Sequence, residues 1–145
     1  MAVGTVSTRI LTDIANAIRY QAGVATTYKP REMAAAVSGL ATRAGVRSMR
    51  YTFSSCAFTT IDFRGFNPST LTDLFYTFSG CNKLTRIYAG TTWALPSSWI
   101  TGSQCFYSCS TSLVGGNGTV WASSKTTYTY FRIDTASAPG YITAA

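Results

Sequence analysis

The strongest constraint on this chain is an internal repeat. Tyr51-Thr52-Phe53-Ser54-Ser55-Cys56 returns 25 residues later as Tyr76-Thr77-Phe78-Ser79-Gly80-Cys81, and a shorter copy, Phe106-Tyr107-Ser108-Cys109, begins 28 residues after Phe78. Self-similarity at such a period marks a stack of short units, none of which can bury its own apolar face. Each copy runs into a hydroxyl-rich segment with two more apolar residues: Phe58 and Ile61, then Leu84 and Ile87, then Leu113 and Val114. Equivalent positions are therefore expected to lie on one another in a narrow continuous core, with Phe53, Phe78 and Phe106 in register. Cys56, Cys81 and Cys109 match in position and read as a ladder of buried thiols, since a free cysteine packs as a small hydrophobe. Disulfide pairing and metal binding are the lesser alternatives, and Cys105 stands outside the ladder.

From Val46 onward, aromatic and β-branched residues interleave with Ser, Thr and Gly, which predicts short strands and turns. The earlier part has a different period. Ile10, Leu11, Ile14 and Ile18 recur at helical spacing, with Ser7 or Thr8 placed to cap and Gly23 to stop the helix. After a turn-like stretch at 23–28, Pro30 and Glu32 suit a first helical turn, and Met33, Val37 and Leu40 give a second apolar stripe. Neither helix is long enough to stand alone in water, so the pair must pack on something. The boundary falls at 41–45, giving a helical anchoring and assembly module at 1–45 and a repeat domain at 46–145. The candidate assembly residues are Ile10, Leu11, Ile14, Ile18, Met33 and Val37.

Two resemblances attach to these segments. Phe78-Ser79-Gly80-Cys81-Asn82-Lys83-Leu84-Thr85-Arg86-Ile87 resembles the cysteine-containing leucine-rich repeats of BspA-type bacterial surface proteins, which run Phe-x-x-Cys-x-x-Leu-x-x-Ile. The first copy is one residue short of that pattern and the third carries one extra residue before Leu113. The stretch 115–145 is similar to the terminal cap that follows such repeats. The N-terminal segments, Leu11-Thr12-Asp13-Ile14-Ala15-Asn16-Ala17-Ile18-Arg19 and Thr27-Tyr28-Lys29-Pro30-Arg31-Glu32-Met33-Ala34-Ala35-Ala36-Val37, resemble a module of bacteriophage structural proteins of the tail or fibre type. Together the resemblances imply an α+β fold: an N-terminal helical hairpin, then a short leucine-rich-repeat-like β solenoid with a C-terminal cap.

The chemistry in the sequence is sparse. No histidine is present, which removes the commonest general base, the Ser-His-Asp and Cys-His arrangements and the usual zinc sites. The five acids are Asp13, Glu32, Asp62, Asp73 and Asp134. Of these, Asp62 and Asp73 are the pair that could meet in space as glycosidase carboxylates. Cys105 and Cys109 have C-x3-C spacing without a second close pair, and Gly115-Gly116-Asn117-Gly118 lacks the Lys-Ser/Thr of a phosphate loop. No catalytic residue, metal or cofactor is expected. The net charge of +7 is spread thinly, with Arg43, Arg47 and Arg50 the nearest thing to a patch, so nucleic acid is not the expected partner.

Aromatic residues are the more informative signal: 9 Tyr, 8 Phe and 3 Trp are more than the repeat positions use. Trp93, Trp99, Tyr107, Trp121, Tyr128 and Tyr130 fall outside the core pattern and are the candidate partner-binding residues, with ordinary packing as the alternative. No run of about 18 apolar residues exists to span a membrane. The residues 1–9 lack the basic start and apolar stretch of a secretory signal. The expectation is a non-enzymatic virion protein, a tail, fibre or decoration component made in the host cytoplasm and released by lysis. It would be homo-oligomeric, with other virion proteins and a host-surface glycan or protein as partners. The alternative is a bacterial cell-surface adhesin.

Overall fold

A computed structural model of the protein describes residues 46–145. Within each repeat copy the backbone divides its donors by parity. The amides of Thr52, Ser54 and Cys56 close local turns onto the carbonyls of Met49, Tyr51 and Phe53. Those of Tyr51, Phe53 and Ser55 instead cross to Phe75, Thr77 and Ser79 of the next copy, at 3.1, 2.9 and 2.7 Å. The second copy repeats the device toward the third, through Phe78 to Cys105 and Gly80 to Tyr107, both at 2.8 Å. Two residues per full copy take left-handed backbone: Tyr51 and Ser55 at φ 56° and 58°, Tyr76 and Gly80 at 55° and 76°. Ser108, the counterpart of Gly80, lies at 52°. A left-handed residue every four positions prevents these turns from running on as a helix.

The crossing amides set equivalent side chains over one another. Phe53 stacks on Phe78 with ring centroids 5.6 Å apart, and Phe78 on Phe106 at 5.2 Å, with interplanar angles of 14° and 6°. The Cys81 thiol donates to the Phe53 carbonyl at 3.0 Å, and the Cys109 thiol to that of Phe78 at 3.1 Å. Leu71, Leu74, Leu84, Ile87 and Leu113 complete this core, all fully buried. The later chain closes one end. Phe131 meets Phe78 and Phe106 edge-on, and Tyr141 lies 4.9 Å from Phe106 at 76°. Each such aromatic contact adds roughly 0.5 to 1.5 kcal/mol beyond the area it buries.

The strands are β1 (Thr60–Asp62), β2 (Arg86–Ala89) and β3 (Ile142–Ala144), in the order β1-β2-β3. Both pairings are parallel, with Ile61 opposite Ile87 and Ile87 opposite Ile142. This corrects the expected α+β fold of a helical hairpin and leucine-rich-repeat-like β solenoid. Among the described residues there is no α-helix, and the strands form one small open sheet. The hairpin, with Ile10, Leu11, Ile14, Ile18, Met33 and Val37, lies outside the described residues. The sheet departs from a solenoid because the third copy contributes no strand. After Val114 donates to Thr85, the chain folds back through 115–118, Val114 forms an antiparallel bridge with Val120, and β3 fills the place beside β2. Gly118 makes that return at φ 93°. A side chain at Gly115 would overlap the Gly140 carbonyl and Asp134, so only glycine lets the two segments touch.

Candidate functional site

The structure separates the six candidate aromatics. Trp93 is core: it is 7 % exposed, its ring packs on Phe63, Phe66 and Phe131, and its indole N–H donates to the Phe131 carbonyl at 3.1 Å. Trp121 is half-buried and its indole N–H is committed to the Phe106 carbonyl at 2.9 Å. Tyr128 and Tyr130 bound a single 3-10 turn (Tyr128–Tyr130), both half-buried. There the Tyr128 amide bonds Gly102, and the Tyr130 ring lies 5.6 Å from Tyr141.

Two candidates stand out in solvent. Trp99 is 90 % exposed and Tyr107 is 51 % exposed. Trp99 also takes φ 64°, a region that a bulky side chain enters at a cost of about 1 to 3 kcal/mol. It follows Ser97 and Ser98, both exposed, so a large apolar ring is held in a polar neighbourhood. Exposure at that level removes nearly all the stabilisation its burial would supply.

A further aromatic surface was not anticipated from the sequence. Tyr51 and Tyr76 stack at 5.0 Å with an interplanar angle of 2°, and Tyr51 is 41 % exposed. Beside them the Arg50 guanidinium lies 4.8 Å from the Phe75 ring centroid and pairs with Asp73 at 2.6 Å. The 25-residue repetition of tyrosine was visible in the sequence, but side-chain direction follows from the positive φ at both positions, which tyrosine does not announce.

The described acids are all engaged within the fold. Asp62 receives Arg64 through Nε, Nη2 and the backbone amide. Burial pushes its carboxyl up, but the bonds from Arg64 and its charge outweigh that and hold it below the usual range. Asp73 accepts the amide of Phe75 at 3.1 Å as well as Arg50. Asp134, 6 % exposed, accepts the amides of Asn117, Thr119 and Gly140 and the Thr119 hydroxyl. Burial alone would raise its carboxyl, and the four bonds bring it down instead. Asp62 and Asp73 are not brought together as a pair: Asp62 sits in the sheet opposite Tyr88, while Asp73 bridges Ser48 and Thr101.

All four cysteines are free and buried. Burial raises the Cys109 thiol to about 12 and pushes Cys81 and Cys105 up still further, so none is a thiolate at neutral pH. Among the described residues no group of three or more Cys, Asp or Glu is arranged to hold a metal ion, and no helix is long and apolar enough to cross a membrane. What the described surface offers chemically is aromatic contact: Trp99, Tyr107 and the paired Tyr51 and Tyr76. No protein-family model matches the chain, and no curated protein or solved structure matches it either.

Proposed function

We propose that this chain is a non-enzymatic structural component of a bacteriophage particle, of the tail, fibre or decoration type. In this reading the repeat portion presents an aromatic surface to a host-surface or virion partner, and the N-terminal segment serves assembly, in a homo-oligomer. The observation that carries the display part is Trp99, 90 % exposed at φ 64°. The ring gives up burial and accepts backbone strain, and contact with a partner would recover the lost burial. The virion part rests on the resemblance of the segments 11–19 and 27–37 to phage structural proteins. The engagement of Asp62, Asp73 and Asp134 within the fold supports a scaffold over a hydrolase.

The test is to lyse the producing strain, separate particles on a density gradient and locate the chain by mass spectrometry. Co-migration with intact particles is expected. Recovery with the cell envelope would overturn the virion reading in favour of a cell-surface adhesin. For the display surface, Trp99→Ala should leave stability within about 0.5 kcal/mol, as an exposed side chain does, and should reduce particle adsorption to host cells. Unchanged adsorption would remove Trp99 from the binding surface.

A further inference from the structure

The outer edge of the first copy lacks what the next copy has. The Thr77 hydroxyl lies 3.0 Å from the Met49 carbonyl of the preceding copy and 2.8 Å from the Leu74 carbonyl. Thr52 holds the equivalent place and is 3 % exposed, yet its hydroxyl has no hydrogen-bond partner. The backbone repeats the difference. The carbonyls of Phe75 and Thr77 accept from Tyr51 and Phe53, whereas among the described residues no donor reaches the equivalent carbonyls of Arg50 and Thr52. The opposite end of the stack is closed, with the Phe106 amide bonded to Thr126 and the Phe106 ring covered by Tyr141. A buried hydroxyl without a partner is unfavourable enough that its position calls for an occupant.

The vacancies define that occupant by the pattern Met49, Tyr51 and Phe53 present to the second copy. It must offer a carbonyl, an N–H two residues later, another N–H two residues after that, and a flat ring on the last residue. Twenty-five residues before these positions stand Val24, Thr26 and Tyr28. Val24-Ala25-Thr26-Thr27-Tyr28 aligns with Met49-Arg50-Tyr51-Thr52-Phe53 and with Leu74-Phe75-Tyr76-Thr77-Phe78: apolar first, threonine fourth, aromatic fifth. The match ends at Pro30, which has no N–H where Ser55 donates to Ser79, and at Arg31 in place of cysteine.

We propose that residues 24–28 seat on this edge as one additional rung. The Thr26 and Tyr28 amides donate to the Arg50 and Thr52 carbonyls, the Thr52 hydroxyl donates to the Val24 carbonyl, and the Tyr28 ring lies on Phe53. The segment is covalently tethered to the edge it fills, so its effective concentration there exceeds that of a separate partner at ordinary protein concentrations. The seating joins the N-terminal segment to the stack through a second point besides the 41–45 connection. It stands independently of the virion reading.

Amide exchange on the full chain, followed by NMR, tests the bonds. Thr26 and Tyr28 should exchange about a hundredfold or more slowly than a free chain, and free-chain rates at both would overturn the proposal. Thr52→Val should lower Tm, because the hydroxyl then has a partner to lose; a rise in Tm means it is an orphan and sinks the idea. Ownership is decided by placing a benzophenone side chain at Tyr28 in mixed heavy and light isotope preparations. Cross-links to residues 51–53 within one isotopic copy are expected. Heavy-to-light cross-links, or none to that segment, would overturn it.

Discussion

Asp134 accepts four hydrogen bonds from three separate places: Asn117 and Thr119 in the return after the third copy, and Gly140 just before β3. A carboxylate that collects donors in this way is a local staple, and the amide of asparagine would turn one acceptor into a donor facing backbone N–H groups. Asp134→Asn should therefore destabilise by about 2 to 3 kcal/mol, in the range for lost hydrogen bonds to a charged group, measured by urea unfolding at pH 7. The pH dependence has a definite sign. Because the folded-state carboxyl titrates below its unfolded value of about 3.9, its contribution is complete above that pH and is lost as pH falls through the folded value. The variant should lack this share of the acid-induced loss, and equal acid sensitivity in both proteins would count against the staple. Gly80 makes a second residue-scale case: at φ 76° an added Cβ would lie 3.0 Å from the Ser55 hydroxyl oxygen. Gly80→Ala should cost about 1 to 2 kcal/mol through the left-handed backbone. Ser55 and Ser108 hold the same conformation without glycine, so Ser108→Gly should be far milder in the same unfolding assay.

At the scale of elements, the phenylalanine stack and the sheet differ in how far they were legible. Phe78 touches a ring on either side, Phe53 and Phe106, and Phe131 edge-on. Phe78→Ala should destabilise by about 3 to 5 kcal/mol in chemical denaturation, and a near-neutral result would mean the neighbours collapse into the space. The register of this stack could be read from the sequence because the repeat spacing dictates it. The third strand could not. β3 comes from 142–144, outside the repeat, and its place depends on Gly115 and Gly116 letting the return pass close to Gly140 and Thr143. Trp93 and Trp99 show the same limit at the candidate site: both lie in one polar loop sequence, and only the Phe63 and Phe131 contacts separate the buried ring from the exposed one. Positive φ at Tyr51 and Tyr76 was equally hidden, since nothing in a tyrosine side chain signals left-handed backbone.

Over the whole molecule, the cysteines report how the stack comes apart. Cys56, Cys81, Cys105 and Cys109 are 3 %, 0 %, 0 % and 6 % exposed, so a thiol reagent reaches them only when the surrounding core opens. In a stack whose units touch only neighbours, opening can start at one end and travel, and the ends then label first. Here the units are tied across the stack as well. Phe131 packs on Phe63, Phe78 and Phe106 together, and Tyr141 joins Phe106 to Lys125 through its hydroxyl bond. These ties link all three copies to the C-terminal segment and should make opening a single cooperative event. Pulsed labelling of the native protein at pH 8, read by peptide mass, should give the four thiols one common rate that rises together with denaturant. If Cys56 labels well ahead of Cys109, the stack unzips from its first copy, and the C-terminal ties do not extend their hold that far.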